Sequence, residues 1–233
     1  MYHSSSSENY SPQSFRYLPP IVKHLIIINV IAFLATQMLE NYGIILSDYL
    51  GLHYPLAGKF LPTQYFTYLF MHGGFWHLLF NMFMLWMFGY MLENYWGSKR
   101  FLFYYLVCGV GAGLIQNIVV AYEVWNYTQL GYNPISVARY MNNAVVVGAS
   151  GSVYGIFLAF AMIWPNMRVY VYFLFPVKAK YVVIFLCLLE LFSGFTGVAL
   201  RSNIAHFAHI GGALFGLILI LWWRKFGRRN DFY

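Results

Sequence analysis

Long apolar runs separated by shorter polar stretches recur from about residue 20 to residue 224. Each run approaches the length of about 20 apolar residues that an α-helix needs to cross a bilayer. The pattern predicts six membrane-spanning helices, at about 21–40, 72–92, 101–121, 145–164, 178–196 and 204–223. No internal repeat is recognisable. We therefore expect an all-α polytopic membrane protein with a single domain.

Composition strengthens this prediction. Hydrophobic residues make up 61% of the 233 positions and charged residues 9%, whereas a soluble domain has about 45–50% apolar and about 25% charged residues. A water-soluble globule of this size could not bury so much apolar surface, so lipid must cover part of it. We expect the domain over 20–224, between a flexible Ser-rich tail at 1–19 and a basic tail at 225–233, with the first span as an uncleaved anchor.

The basic residues are distributed unequally between the two sides of this predicted topology. Eleven of the fourteen Lys and Arg residues fall on the side of the termini, and three fall on the other: Lys59, Arg139 and Arg201. The positive-inside rule then predicts that both termini are cytoplasmic. The net charge of +7 is explained by topology, and we do not expect nucleic acid as a partner.

The connections between the predicted spans differ in character. Residues 41–71 are too aromatic for a solvated linker, so we expect an outer loop that is partly embedded and supported by protein, because irregular backbone cannot face lipid directly. Residues 122–144 are expected to form a second outer loop. Pro176 should interrupt any helix before the fifth span.

Polar side chains inside predicted spans are costly and are therefore candidates for function. Span two carries His77 and Asn81, which are four residues apart and share one helix face. Ser150 opens span four, and span six carries His206 and His209. Spans two, four and six run in the same direction, which puts the three clusters roughly 5–10 Å below the outer surface.

Small residues predict which of these helices touch. Gly212 and Gly216 lie on the same face as His209, and span four carries a similar small stripe that includes Gly151 and Gly155. Such faces allow helix backbones to approach closely in lipid. We therefore expect spans four and six to pack together and to bring Ser150 within hydrogen-bond reach of His209.

That arrangement has a defined chemistry. A serine hydroxyl becomes an effective nucleophile when an adjacent histidine accepts its proton, so Ser150 and His209 form a candidate catalytic dyad. The oxyanion formed in acyl transfer needs preorganised donors. His77, the Asn81 amide and the backbone N–H of Ser150 are candidates for that role.

Neighbouring residues are interpreted as support for the dyad. Gly148 and Gly151 flank the serine segment and allow a tight backbone and an approaching substrate chain. Tyr154, one turn below Ser150, can pack on the imidazole of His209. No carboxylate completes a triad in this interpretation.

Three further polar residues are interpreted as structural. Of the seven acids, only Glu190 falls well inside a predicted span, and we interpret it as a hydrogen-bonding group. His206 is expected to face the outer water or a neighbouring loop, and His72 to belong to the junction between loop and helix.

Four motifs occur in order on these spans: HGGFWHLLFNMFMLWMFG, LENYWGSKRF, GASGSVYG and AHIGG. Together they resemble the rhomboid intramembrane serine proteases, and the resemblance extends over about residues 20–224. It implies a six-helix fold with the catalytic serine in GxSG, here Ser150, and the base in AHxxG, here His209. The HxxxN motif implies an oxyanion site at His77 and Asn81.

The resemblance implies two further roles and has one departure. Tyr154 corresponds to a tyrosine packed against the base, and Glu93 in LENYWGSKR to a structural position. Many rhomboids have Trp-Arg before a Tyr-Phe-Thr run in the first loop, but here Thr63 and Gln64 precede that run. The anchoring of this loop is therefore expected to differ.

The resemblance also implies partners and an environment. Substrates would be membrane proteins whose transmembrane helices contain helix-weakening Gly or Pro, with a small residue before the cut. Hydrolysis of this kind requires no cofactor and no metal. The lipid bilayer is the expected surrounding, and by analogy a bacterial plasma membrane; the sequence predicts no oligomeric state.

Two other functions would use some of the same residues. A transporter or metal-binding protein would use the four histidines His72, His77, His206 and His209. The sequence has no HExxH motif, no pair of broken helices and no ladder of intramembrane acids, which disfavours that hypothesis. A non-proteolytic protein that binds transmembrane helices is the third possibility, and activity tests separate it from a protease.

Overall fold

A computed structural model describes residues 16–171, 174–195 and 206–226. Most of both predicted tails lies outside these residues, as does Arg201. The described elements are helices α1 Pro20–Glu40, α2 Ser47–Leu50, α3 Gln64–Thr67, α4 Phe75–Trp96, α5 Ser98–Gln129, α6 Pro134–Asn143, α7 Ser150–Ile163, α8 Ala179–Phe195 and α9 His206–Phe226, a 3-10 turn at Tyr68–Phe70, and strands β1 Arg168–Val171 and β2 Phe175–Lys178.

Four of the described helices are long and apolar enough to cross a bilayer: α1, α4, α5 and α9. Helices α7 and α8 have 14 and 17 residues, which is shorter than the roughly 20 residues of a simple crossing. The prediction of a helical membrane protein is thus confirmed, whereas the count of six spans stays a prediction.

Helix α7 lies at the centre of the bundle, in contact with α4, α5, α8 and α9. Nine of its 14 residues are buried, Ile156 among them, and the core around it includes Leu85, Tyr104 and Tyr105. Large apolar side chains on the outer helices are exposed instead, for example Ile31 on α1. This distribution suits a protein whose outer surface contacts lipid, because apolar side chains there need not be buried against protein.

The helices differ from the predicted segments in three places. Residues 145–149 do not begin the fourth span, since Val146 pairs with Leu52 through two backbone hydrogen bonds of 2.9 Å. The helix that contains the predicted third span, 101–121, is longer and runs over Ser98–Gln129, and α6 occupies much of the expected loop at 122–144. Helix α6 has its own start signals, because Pro134 is its first residue and the Asn133 side chain caps the N–H of Ile135.

The loop 41–71 is supported by protein, as expected. Gln64 is fully buried within it. Its Oε1 accepts hydrogen bonds from the backbone N–H of His53 and Leu61, both at 3.2 Å, and its Nε2 donates to the carbonyls of Tyr49 and Lys59. An amide that satisfies four backbone groups anchors the loop at the position where the sequence departs from Trp-Arg.

Glu93 joins the first two long helices at the end remote from His77. Its carboxylate accepts hydrogen bonds from the backbone N–H of Ile21 at 2.9 Å and of Val22 at 2.8 Å, and from the hydroxyl of Ser98 at 2.6 Å. An anion at a helix N-terminus satisfies unpaired N–H groups and complements the helix dipole. Glu93 therefore has the structural role that was expected for it.

The segment before α8 is a β-hairpin. Strands β1 and β2 pair in antiparallel register, from Arg168 opposite Lys178 to Val171 opposite Phe175. Pro176 lies in β2, and α8 starts only at Ala179. Pro176 therefore precedes the helix, as predicted.

Candidate active site

Ser150 and His209 lie at the starts of two adjacent helices. Ser150 is the first residue of α7, and His209 lies in the first turn of α9. Nε2 of His209 is 2.8 Å from Oγ of Ser150, although 59 positions separate them in the chain. This distance allows direct proton transfer between the hydroxyl and the imidazole.

Glycines allow α7 and α9 to approach closely enough for this contact. A methyl group added at Gly212 would overlap the carbonyl of Gly151, and one added at Gly155 would lie 3.2 Å from the carbonyl oxygen of Gly212. A methyl group at Gly151 would overlap Ala112 on α5. The predicted packing of these two helices through small residues is confirmed.

Tyr154 and Glu190 contact the imidazole of His209 from two directions. The Tyr154 ring is stacked on it, with centroids 4.4 Å apart and planes 6° apart. The Tyr154 hydroxyl donates a hydrogen bond to Oε1 of Glu190. The same oxygen lies 2.9 Å from Nδ1 of His209, which is within ion-pair distance. The angle at Nδ1 does not meet the criteria for a hydrogen bond.

His206 does not face the outer water, so that part of the expectation is wrong; the loop at 196–205 that precedes it lies outside the described residues. It is buried, and its Nδ1 lies 2.5 Å from Oε2 of Glu190. The reason is the carboxylate itself, which is only 6% exposed and needs polar partners at this depth. Glu190 thus contacts both histidines of α9, which sequence reasoning did not predict. The feature of the sequence that could have indicated this contact is that Glu190 is the one acidic residue in the predicted span 178–196.

His77 and Ser150 converge on Gly148. An atom at the Cβ position of Gly148 would lie 2.8 Å from Nε2 of His77 and 3.6 Å from Oγ of Ser150. Gly148 has a φ of +127°, a backbone conformation that side chains disfavour. A side chain at this position would overlap the ring of His77, so a glycine is required where His77 and Ser150 lie this close to the backbone.

Asn81 is on the same face of α4 as His77 and is buried. Its Nδ2 donates to the carbonyl of His77 at 2.8 Å. A carboxamide nitrogen carries two hydrogens, so a second donor remains. The structure brings His77 to the serine and ties Asn81 to the turn that carries His77.

A cavity of about 240 Å³ is lined in part by His72 and Gly73, which precede α4. Its polar lining comes from Thr36, Gln37, Glu40, Ser47 and His72. The backbone N–H of Gly73 donates to Nδ1 of His77 at 3.4 Å. A cavity with several polar side chains in its lining can hold ordered water.

His72 precedes α4, at the junction of loop and helix where it was expected. The residue is 5% exposed, and the centroid of its ring lies 5.1 Å from that of the His77 ring. Burial, reinforced by the neighbouring His77, lowers the pKa of His72 from 6.5 to about 4. The folded protein therefore holds His72 neutral under conditions in which the unfolded chain is protonated.

This difference predicts an acid-sensitive contribution to stability. Because the unfolded chain binds more protons between pH 6.5 and about 4, the free energy of unfolding should decrease as the pH falls through that window. The decrease due to His72 is at most about 3 kcal/mol. We expect His72→Asn to reduce the loss of stability between pH 7 and pH 4, measured by reversible unfolding in mixed micelles. An undiminished pH dependence in the variant would contradict the assignment.

The metal-binding hypothesis needs a cluster of ligands. Within the described parts of the chain, no group of three or more His, Cys, Asp or Glu side chains is arranged to hold a metal ion. The four histidines form two pairs of contacts instead: His72 with His77, and His206 and His209 with the same carboxylate.

Comparison with known proteins identifies the family. The sequence profile of the Rhomboid domain matches residues 61–226, which include every residue of the site. The chain belongs to the rhomboid family. The family resemblance based on its four motifs is thereby confirmed.

Relatives of this rhomboid come from several kinds of organism. It is 28% identical to "Rhomboid protein 1, mitochondrial" of Saccharomyces cerevisiae, over 89% of this chain and 57% of that protein. It is 29% identical to "Rhomboid-like protein 11, chloroplastic" of Arabidopsis thaliana, over 87% and 65%, and 28% identical to "Rhomboid protease AarA" of Providencia stuartii, over 64% and 51%. The chain thus spans less than two thirds of the length of these relatives.

These names bear on localisation. Family membership and the apolar helices support an integral membrane protein in a lipid bilayer. The expectation of a bacterial plasma membrane is not supported, because two of these three relatives are named mitochondrial and chloroplastic.

Proposed function

We propose that this rhomboid is an intramembrane serine endopeptidase that hydrolyses peptide bonds in transmembrane helices near the outer side of the bilayer. The observation that carries the proposal is the 2.8 Å contact between Oγ of Ser150 and Nε2 of His209. The family adds support, because it includes a relative that is named as a protease.

The reaction follows from the positions of these two side chains. His209 accepts the hydroxyl proton while Oγ of Ser150 attacks the substrate carbonyl carbon, and then gives the proton to the leaving amine. The acyl group remains on Ser150 as an ester, which water hydrolyses. No step in this sequence uses a cofactor or a metal.

The space beside Gly148 is proposed as the oxyanion site. His77 reaches this space from α4, and the backbone N–H of Ser150 and the free hydrogen of the Asn81 amide are further donors. Donors fixed in advance stabilise the developing charge without reorganising. Tyr154 keeps the imidazole of His209 in place by stacking.

The proposed membrane arrangement is a six-helix bundle with both termini in the cytoplasm. Helices α7 and α8 add to the four long helices, and the short α7 begins below the outer surface. A substrate helix docks near α4 and α8 and unwinds locally, because helical carbonyls are hydrogen-bonded and shielded. In this proposal, the polar cavity lined by His72 and Gly73 supplies the water.

Ser150→Ala tests this proposal. We expect the full chain in proteoliposomes to cut a fluorescent transmembrane-helix substrate that contains a Gly or Pro, and the variant to lose that activity by at least about 10³-fold, because the nucleophile is missing. The thermal unfolding of the variant should stay close to that of the native chain.

A rhomboid that binds helices without cutting them would behave differently. The native chain and Ser150→Ala would then retain the labelled helix equally, with no cleavage product from either, and the protease proposal would fail. Cleavage by a contaminating protease is recognised because it persists in Ser150→Ala.

A further inference from the structure

Helix α8 presents one buried carboxylate to the protein and mainly apolar side chains to its surroundings. Of its 17 residues, Ala179 and Glu190 are the buried ones. Its exposed side chains include Tyr181, Ile184, Phe185, Leu188, Leu189 and Phe192. An ionised group at membrane depth is retained only where specific partners compensate its charge. The residues that contact Glu190 therefore indicate the role of its carboxylate.

Those partners are the candidate base and the groups that surround it. Oε1 of Glu190 accepts the hydroxyl hydrogen of Tyr154 and lies 2.9 Å from Nδ1 of His209. Oε2 lies 2.5 Å from Nδ1 of His206. Both described ion-pair contacts of this carboxylate are histidines, and one of them is hydrogen-bonded to Ser150.

This geometry determines which nitrogen of His209 carries the proton. A carboxylate only accepts hydrogen bonds, so a neutral imidazole beside it places its hydrogen on Nδ1. Nε2 then presents its lone pair to the hydroxyl of Ser150, as a general base must. The N–H bond and the carboxylate are not yet collinear, which is common in catalytic groups before substrate binds.

We propose that Glu190 is a positioning residue that fixes the tautomer and orientation of His209, so that Ser150, His209 and Glu190 act as a triad. The inference rests on the proposed protease function and deepens it. When Nε2 accepts the proton of Ser150, the imidazolium forms beside Glu190, which stays ionised and stabilises it. The proton passes from Nε2 to the leaving amine, and the carboxylate of Glu190 neither gains nor loses a proton.

A purely structural role makes a different prediction. If Glu190 only holds α8 against α9, its loss should loosen the helix and change substrate binding or stability, while the reactivity of Ser150 stays the same. Glu93 offers a matched control, because it is also a buried carboxylate with three hydrogen bonds, and it joins α1, α4 and α5 away from the site.

The experiment compares the native chain with Glu190→Gln and Glu93→Gln in proteoliposomes. It measures kcat and KM with the transmembrane-helix substrate, the second-order rate at which a fluorophosphonate modifies Ser150, and thermal unfolding. The small probe reacts without docking a helix, so its rate reports on the base rather than on substrate entry.

We expect Glu190→Gln to lower kcat by about 10²–10⁴-fold, because an amide hydrogen bonded to Nδ1 favours the wrong tautomer. The labelling rate should fall with kcat, and KM should change by less than about threefold. Glu93→Gln should lower the unfolding temperature and leave the labelling rate of the folded protein unchanged.

If Glu190→Gln does not fold, Glu190→Asp decides the question. The shorter aspartate side chain keeps the negative charge but moves it away from His209 by the length of one methylene group. A fall of tenfold or more in kcat and labelling, at constant KM, supports the triad. Native-like kcat and labelling in a folded Glu190 variant, or a change in KM alone, overturns it. A native chain that neither cuts nor labels instead contradicts the protease proposal itself.

Discussion

Replacing His209 by alanine is expected to lower kcat for a transmembrane-helix substrate by about 10⁴-fold or more. The hydroxyl of Ser150 then has no base at 2.8 Å to accept its proton. In serine proteases, removing the catalytic histidine alone lowers kcat about as much as removing the whole catalytic triad. Initial rates in proteoliposomes measure the loss, and thermal unfolding establishes that the variant is folded.

A matched histidine variant controls for this result. His24 is exposed on α1, close to the Glu93 end of α4, and the 16 positions from Glu93 to His77 correspond to about 24 Å along that helix. We expect His24→Ala to keep native activity. A folded His209→Ala protein with more than about a tenth of the native rate would contradict the role of His209 as base.

The second large effect is expected from Gly212→Ala. The added methyl group would overlap the carbonyl of Gly151, and because both atoms belong to helix backbones, α7 and α9 must move apart. Forcing atoms into a packed contact costs about 1–3 kcal/mol of folding free energy. A displacement of about 1 Å between Ser150 and His209 can cost about 10²-fold in rate. Cleavage assays and unfolding in mixed micelles measure the two effects.

Gly58→Ala is the control for this substitution, since a methyl group there would meet nothing within 4 Å. It should leave rate and stability unchanged. If Gly212→Ala retains native kcat and stability, the close approach of the two helices is not what positions the site.

Much of the candidate site is predictable because its residues lie in short motifs at helix starts. His77 and Asn81 are one helical turn apart, and glycine faces predicted that the helices carrying Ser150 and His209 meet. In each case a local pattern specifies the geometry. The stacking of Tyr154 on His209 follows from the same helix period.

The contact between Glu190 and His209 could not be predicted, for a physical reason. In a helix of a water-soluble protein, polar residues mark the face toward solvent, and the apolar residues on the opposite face identify the side that is buried. In α8 the exposed side is apolar as well, so the sequence does not reveal how the helix is rotated. Only the packed structure shows that Glu190 points toward α7 and α9, where it meets Tyr154 and both histidines.

The misplaced boundaries have a similar explanation. The apolar residues at 145–149 cannot be distinguished by hydropathy from the first residues of a membrane-spanning helix, but Val146 is extended and pairs with Leu52. Helix α5 continues beyond its apolar part because polar side chains there find partners, such as Glu123 with the hydroxyl of Tyr140 on α6. Tertiary contacts decide both cases, and local hydropathy does not contain them.

The most direct test of the account is mass spectrometry of the native chain after treatment with a serine-directed fluorophosphonate in a bilayer. We predict one adduct, on Ser150, formed by the native protein and reduced to background in His209→Ala. If folded native protein carries no adduct on Ser150, or if His209→Ala is labelled at the native rate, the claim that these two residues form a hydrolytic site is wrong.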